Sequence, residues 1–228
     1  MFNILDIFNK KNLFSYNRDS FVLNTPSYRC FNYLYEDINV NDFAILAREN
    51  YLNKDYENNV YIDYDYNMIY DIINDSIIRN LTGVNCINLA SGGGKIIFLM
   101  SMIYPFVKFV GVENMFELYE LSRKILKKFR ESEFSNTIKY KDISFFNKSL
   151  LSAKLEDKNL IILDYNNTND IFNGMMENKI IREVKADATI IKLLTPFKKN
   201  VSLKLLKIKT LLDIKNNKVL VYYYKKTN

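Results

Sequence analysis

The sequence predicts an α/β protein: a mostly parallel sheet closed by an antiparallel C-terminal hairpin and preceded by a helical N-terminal extension. Three observations carry this. From residue 84 onward, apolar runs of strand length alternate with stretches of helical spacing. Three of the six glycines stand together at 92–94, between two apolar runs. The last two apolar runs follow one another with only a short polar link.

The elements can be justified in order. Residues 1 to about 80 read as helical and irregular, with helical spacing at 42–52 and 66–81. Between them, Tyr51 to Tyr70 holds six tyrosines interleaved with Asp55, Glu57, Asp63 and Asp65, fitting either a lid or ordinary packing. A strand at 84–90 precedes a helix at 94–104, and a strand at 107–112 precedes a helix at about 115–130. A short strand at 138–141, a strand at 159–164, a helix at 170–183 and a strand at 187–194 follow. Leu203–Leu212 and Val219–Tyr224 then form a hairpin, because the Asn216-Asn217 link tolerates the positive φ of a tight turn. The organisation is therefore an extension over 1–80 and a sheet domain over 81–228, seven strands in all.

Composition narrows the chemistry. No apolar run reaches the roughly 20 residues of a membrane helix, and the N-terminus lacks the features of a signal peptide. Cys30 and Cys86 are far apart, which argues against a disulfide or zinc site and fits the cytoplasm. The chain has no histidine, which excludes an imidazole base or a His-ligated metal; no metal site is expected. The net charge of +6 is uneven. Residues 192–228 hold ten basic side chains and one acidic, Asp213, whereas residues 1–191 hold 22 basic and 25 acidic. That basic segment suits nucleic acid or another anionic partner, or else a solvated Lys-rich edge.

A parallel sheet binds ligands at the C-terminal ends of its strands. Four such ends carry candidates: Asn88, Ala90, Ser91, Gly92 and Gly94; Glu113; Asp142 and Ile143; and Asp164, Tyr165, Asn166 and Asn167. A phosphate-binding loop would need Ser or Thr after its lysine, but Ile96 follows Lys95. A dinucleotide fingerprint would need Gly-x-Gly-x-x-Gly, which the turn lacks. An acid at the second strand end suits ribose hydroxyls.

The short x-Gly-x-Gly turn, the acid at Glu113 and the closing hairpin resemble the class I S-adenosylmethionine-dependent methyltransferases, over roughly residues 66–226. Within them, Asn88-Leu89-Ala90-Ser91-Gly92-Gly93-Gly94-Lys95 is similar to the Asp-Leu-Gly-Ser-Gly-x-Gly-Lys of the non-SET protein-lysine methyltransferases of the disruptor-of-telomeric-silencing type. Gly111-Val112-Glu113, Tyr165-Asn166-Asn167 and Leu194-Thr195-Pro196-Phe197 resemble further short stretches of that family. The resemblance implies a Rossmann-like seven-stranded methyltransferase sheet, S-adenosyl-L-methionine as cofactor and methyl transfer to a protein lysine; RNA or a small molecule is the alternative acceptor. It implies Glu113 on the ribose, Asp142 and Ile143 on the adenine, and Asn88, Ala90, Ser91, Gly92, Gly94 and Asp164 around the rest of the cofactor. Asn166 would stand at the acceptor channel with Tyr165 and Asn167 beside it. Two departures, Asn88 for an acid and Ala90 for a glycine, imply a weaker grip on the cofactor or a non-catalytic binding protein.

Overall fold

The computed structural model describes residues 25–50, 63–137, 142–165, 169–198, 202–213 and 216–227. Four helices precede the sheet: α1 (Pro26–Tyr35), α2 (Val40–Asn50), α3 (Tyr66–Ile73) and α4 (Ser76–Arg79). Each start has a local cause. Thr25 caps α1 by accepting from the Tyr28 N–H, with Pro26 supplying the fixed φ of a first turn. Asp65 caps α3 through Met68, and Asp75 caps α4 through Ile77, which is why the helical pattern over 66–81 divides in two.

Then come β1 (Asn85–Leu89), α5 (Lys95–Ile103), β2 (Lys108–Glu113), α6 (Phe116–Glu131), α7 (Phe134–Thr137) and β3 (Asp142–Asn147). A 3-10 turn at Leu150–Ser152 leads to β4 (Leu160–Leu163), α8 (Asp170–Glu183), β5 (Thr189–Leu193), β6 (Leu203–Leu212) and β7 (Lys218–Lys226). The sheet order is β3-β2-β1-β4-β5-β7-β6. All pairings are parallel except those of β7, which lies antiparallel between β5 and β6. Asn216 turns the hairpin at φ 62, and its N–H donates to the Asp213 carbonyl.

Strand alternation builds two cores. Cys86 and Ile162 face a large core with α1, α2, α3, α5 and α6, whereas Ile87, Leu89, Ile161 and Leu163 face a second core under α8. Helices α1 to α3 thus share one continuous core with the sheet, and Tyr223 at its centre donates to the Ile72 carbonyl. Among the described residues no helix is long and apolar enough to cross a membrane.

One strand lies elsewhere than the sequence predicts. Residues 138–141 are outside the described residues, and β3 begins at Asp142, which pairs with Lys108 at the start of β2. The run Ile143-Ser144-Phe145 carries the alternating burial, so the acid opens the strand instead of ending it.

Candidate functional site

Between β1 and α5 the chain makes a tight turn with three left-handed residues: Ala90 at φ 61, Gly92 at φ 53 and Gly94 at φ 85. Glycine adopts that region freely; alanine does so at a cost of about 1–2 kcal/mol. Gly94 is required by space as well, since a Cβ there would lie 2.7 Å from the Phe145 ring. Gly111 on β2 answers the same ring: its Cβ would lie 2.4 Å from Phe145 and 2.8 Å from Ser91 Oγ. The turn is tied to β2 by the Ser91 N–H, which donates to the Val112 carbonyl.

Asn88 sits beneath this turn, fully buried. Its Nδ2 donates weakly to the Leu89 and Ile162 carbonyls, each at 3.4 Å, while its Oδ1 has no hydrogen-bond partner. Ser91 Oγ is likewise buried and unpartnered. Buried acceptors and donors are normally satisfied, so two orphans beside one turn mark a place where a ligand completes the bonding.

Glu113 ends β2 and is 4% exposed. Its Oε2 accepts from the Gly92 N–H at 2.8 Å, and its Oε1 accepts from the N–H groups of Asn114 and Met115 at 2.8 and 2.9 Å. Burial pushes its carboxyl above the usual carboxylate range, while the three backbone donors pull it back. At the neighbouring β3 end stands Asn147, whose Nδ2 donates to the Glu113 and Asn114 carbonyls. Asp142 and Ile143 are at the opposite end of that strand: Asp142 pairs with Lys108 at 3.5 Å, and Ile143 is a core residue. Their expected place on the adenine is therefore corrected; the residues at that edge are Asn147 and Lys148.

The β4 end adjoins the β1 end, the Asp164 N–H donating to the Leu89 carbonyl. Asp164 Oδ1 accepts from the Tyr64 hydroxyl at 2.8 Å. Its carboxyl is pushed up to about 7, chiefly by burial; the Tyr64 bond opposes the rise and the Glu113 carboxylate adds to it. Tyr165 follows, 7% exposed and facing the second core, with a hydroxyl that has no partner. Asn166 and Asn167 lie outside the described residues.

The N-terminal extension closes over the turn through partners that the sequence does not mark. Lys95, the first residue of α5, pairs with Asp63 at 2.5 Å, donates to the Tyr64 carbonyl at 3.2 Å and lies 5.4 Å from the centre of the Tyr35 ring. The Tyr35 hydroxyl donates to the Gly93 carbonyl at 2.9 Å. Of the tyrosine-rich segment, residues 51–62 are outside the described residues, whereas Tyr64 and Tyr66 are buried packing groups. The structure thus gathers Asn88, the 90–94 turn, Glu113 and Asp164 along one sheet edge, under a strap formed by residues 63–65.

No protein-family model matches the chain, and no curated protein matches it at a significant level. Solved structures do match. An RNA methyltransferase from Salinibacter ruber, in complex with S-adenosyl-L-homocysteine, is 12% identical, covers 73% of this chain and 95% of that chain, and has a TM-score of 0.53. A candidate RNA methyltransferase from Pyrococcus horikoshii is 12% identical over 82% of this chain and 96% of that chain, with a TM-score of 0.51. An S-adenosylmethionine-dependent methyltransferase from Methanosarcina mazei is 11% identical over 67% and 98%, with a TM-score of 0.50. At such identities the likeness is one of fold: the Rossmann-like seven-stranded methyltransferase sheet with its antiparallel closing hairpin.

Proposed function

We propose that this chain is an S-adenosylmethionine-dependent methyltransferase that acts on RNA. The observation that carries the reading is the cluster at the β1, β2 and β4 ends, where a left-handed glycine turn, an unpartnered buried amide oxygen and a buried carboxylate converge. When bound, that cofactor supplies a methyl group activated by a sulfonium.

The residues present fit it. The Oδ1 of Asn88 is an unsatisfied acceptor, the complement of an ammonium group. A carboxylate offers about four lone-pair sites. Glu113 uses three of them on backbone N–H groups, which leaves one for a ribose hydroxyl. Gly92 and Gly94 keep side chains out of the turn, and Ser91 Oγ adds a free hydroxyl. The acceptor end is assigned to the β4 tip, where Asp164 and Tyr165 stand and Asn166 and Asn167 follow in sequence. Burial pushes the Asp164 carboxyl up to about 7, so it can hold a proton or accept a bond there.

RNA is favoured over a protein lysine on two grounds. Two of the similar structures named above are described as RNA methyltransferases, one of them as a candidate. Residues 192–228, with ten basic side chains against one acidic, offer the charge a phosphate backbone requires. The lysine reading rested on short motifs; its Asn166-Asn167 part lies outside the described residues, and its adenine residues stand at the wrong strand end.

A second reading, a binding protein without turnover, has its own support: Asn88 gives up the charge that favours a cationic ligand, and Ala90 holds a strained conformation. Calorimetry and thermal denaturation with S-adenosylmethionine and S-adenosylhomocysteine test the cofactor. The expected stabilisation is about 2.7 kcal/mol at a hundredfold excess over the dissociation constant. Absence of any shift sinks the cofactor assignment. Transfer of labelled methyl groups into the RNA fraction of a lysate tests the acceptor; label in protein alone overturns RNA, and binding without transfer leaves the non-catalytic reading.

A further inference from the structure

Lys192 takes no part in the cluster around Asn88 and Glu113. It lies on β5 in register with Leu163 and shares the sheet face of Ile190, so it points toward the second core, away from Asn88. It is 3% exposed, unusual for a lysine. Its ammonium lies 4.5 Å from the centre of the Tyr165 ring and 5.6 Å from that of Phe197, and donates to Thr195 Oγ1 at 3.1 Å. A lysine has three N–H donors, and among the described residues this one has a single oxygen acceptor, Thr195 Oγ1. The hydroxyl of the Tyr165 ring that this ammonium faces is buried and has no hydrogen-bond partner among the described residues.

The charges nearby do not use up this cation. Glu177 on α8 is the counter-charge, but it also accepts from the Lys198 N–H and faces the Lys198 ammonium. Two lysines therefore share one carboxylate. Burial lowers the Lys192 ammonium to about 8, with Glu177 opposing, so the group stays charged at neutrality. A buried cation with spare donors, an orphaned phenol and a net positive surround are the ingredients of an oxyanion site. The Tyr165 and Phe197 rings attract the ammonium but supply it no oxygen acceptor.

We infer that Lys192 and Tyr165 form a seat for a phosphate oxyanion beside the β4 tip, one that a phosphodiester of the acceptor would occupy. The assignment to an acceptor rests on the proposed RNA methyltransferase activity; the seat itself does not. Occupied, it fixes the acceptor strand against β5 while the target group lies over the neighbouring β4 end.

The test is thermal denaturation of the full chain without cofactor. Sodium phosphate is compared with sodium chloride at equal ionic strength, then a uridine trinucleotide with uridine alone. Inorganic phosphate and the trinucleotide are expected to raise the wild-type midpoint saturably, and uridine is not. Lys192→Met is expected to abolish the effect. Tyr165→Phe is expected to weaken it about tenfold, as loss of one hydrogen bond to a charged group. Because Tyr165→Phe deletes a hydroxyl with no protein partner, that variant should fold at least as stably as wild type. A structural tyrosine would lose stability and leave phosphate binding unchanged. Saturation by phosphate but not by the trinucleotide supports the seat and assigns it to a free phosphate group. No saturable effect, or equal effects in wild type and both variants, overturns it. If phosphate binds while S-adenosylmethionine does not, the seat stands and the methyltransferase reading falls.

Discussion

Asp164→Asn is expected to stabilise the fold, and to do so increasingly as the pH rises. The wild-type carboxyl is pushed up to about 7 in the fold, from an ordinary value of 3.8. A raised carboxyl binds its proton more tightly in the fold than in the unfolded chain, so the unfolded state loses protons first. Stability therefore falls as pH climbs from the unfolded value through the folded one, the reverse of the usual carboxylate case. At about 1.36 kcal/mol per pKa unit, the full penalty well above the folded value is of the order of 4 kcal/mol. By the same linkage less than half of it is present at pH 5. Asparagine keeps an oxygen for the Tyr64 hydroxyl and carries no charge, so it escapes the penalty. Urea denaturation of both proteins at pH 5 and pH 8.5 isolates Asp164, because every other group titrates in both apart from its coupling to Glu113. The advantage of the variant should be about 3 kcal/mol greater at the higher pH. An advantage independent of pH, or one that shrinks as pH rises, refutes the account of Asp164 as a buried carboxylate held against its preference.

Ala90→Gly relieves a left-handed alanine and should raise stability by up to about 1 kcal/mol, seen as a higher thermal midpoint; a lower midpoint contradicts the strain. Gly111→Ala places a methyl against Phe145 and Ser91 and should cost about 1–3 kcal/mol in urea denaturation. Phe145→Leu in the same chain should recover part of that loss, and strict additivity of the two changes would show that the ring is not the obstacle.

Much of the sheet was legible because a buried parallel sheet writes itself as apolar runs spaced by helices. β1, β2, β4, β5 and the hairpin fall within about two residues of their expected spans. β3 was misplaced because Asp142 was taken as a strand end, when Ile143 and Phe145 show the alternation of a strand that starts there. α1 was missed although Thr25-Pro26 is a helix start and Phe31, Leu34 and Tyr35 share a buried face. The glycine turn, Glu113 and Asp164 could be found locally, each being a residue type tied to a strand end. The strap could not. Tyr64 meets Asp164 across 100 positions and Tyr35 meets Gly93 across 58, and nothing in a single sequence marks such partners. Lys192 read only as one of many C-terminal lysines, because its burial comes from Tyr165 and Phe197 closing around it.

The insertion of β7 between β5 and β6 has a consequence for synthesis. β6 leaves the ribosome before β7, yet nothing but β7 joins it to the remainder of the sheet. During that interval Leu203, Leu205, Leu206, Ile208, Leu211 and Leu212 form an orphan ribbon prone to wrong partners. Lys204, Lys207 and Lys209 are set among them, the placement by which charge keeps such a ribbon from self-association. Once β7 arrives, Lys207 locks onto Asp75 and Lys209 onto the Asp71 carbonyl. The side chains that guard the nascent chain thereby become clamps of the finished one.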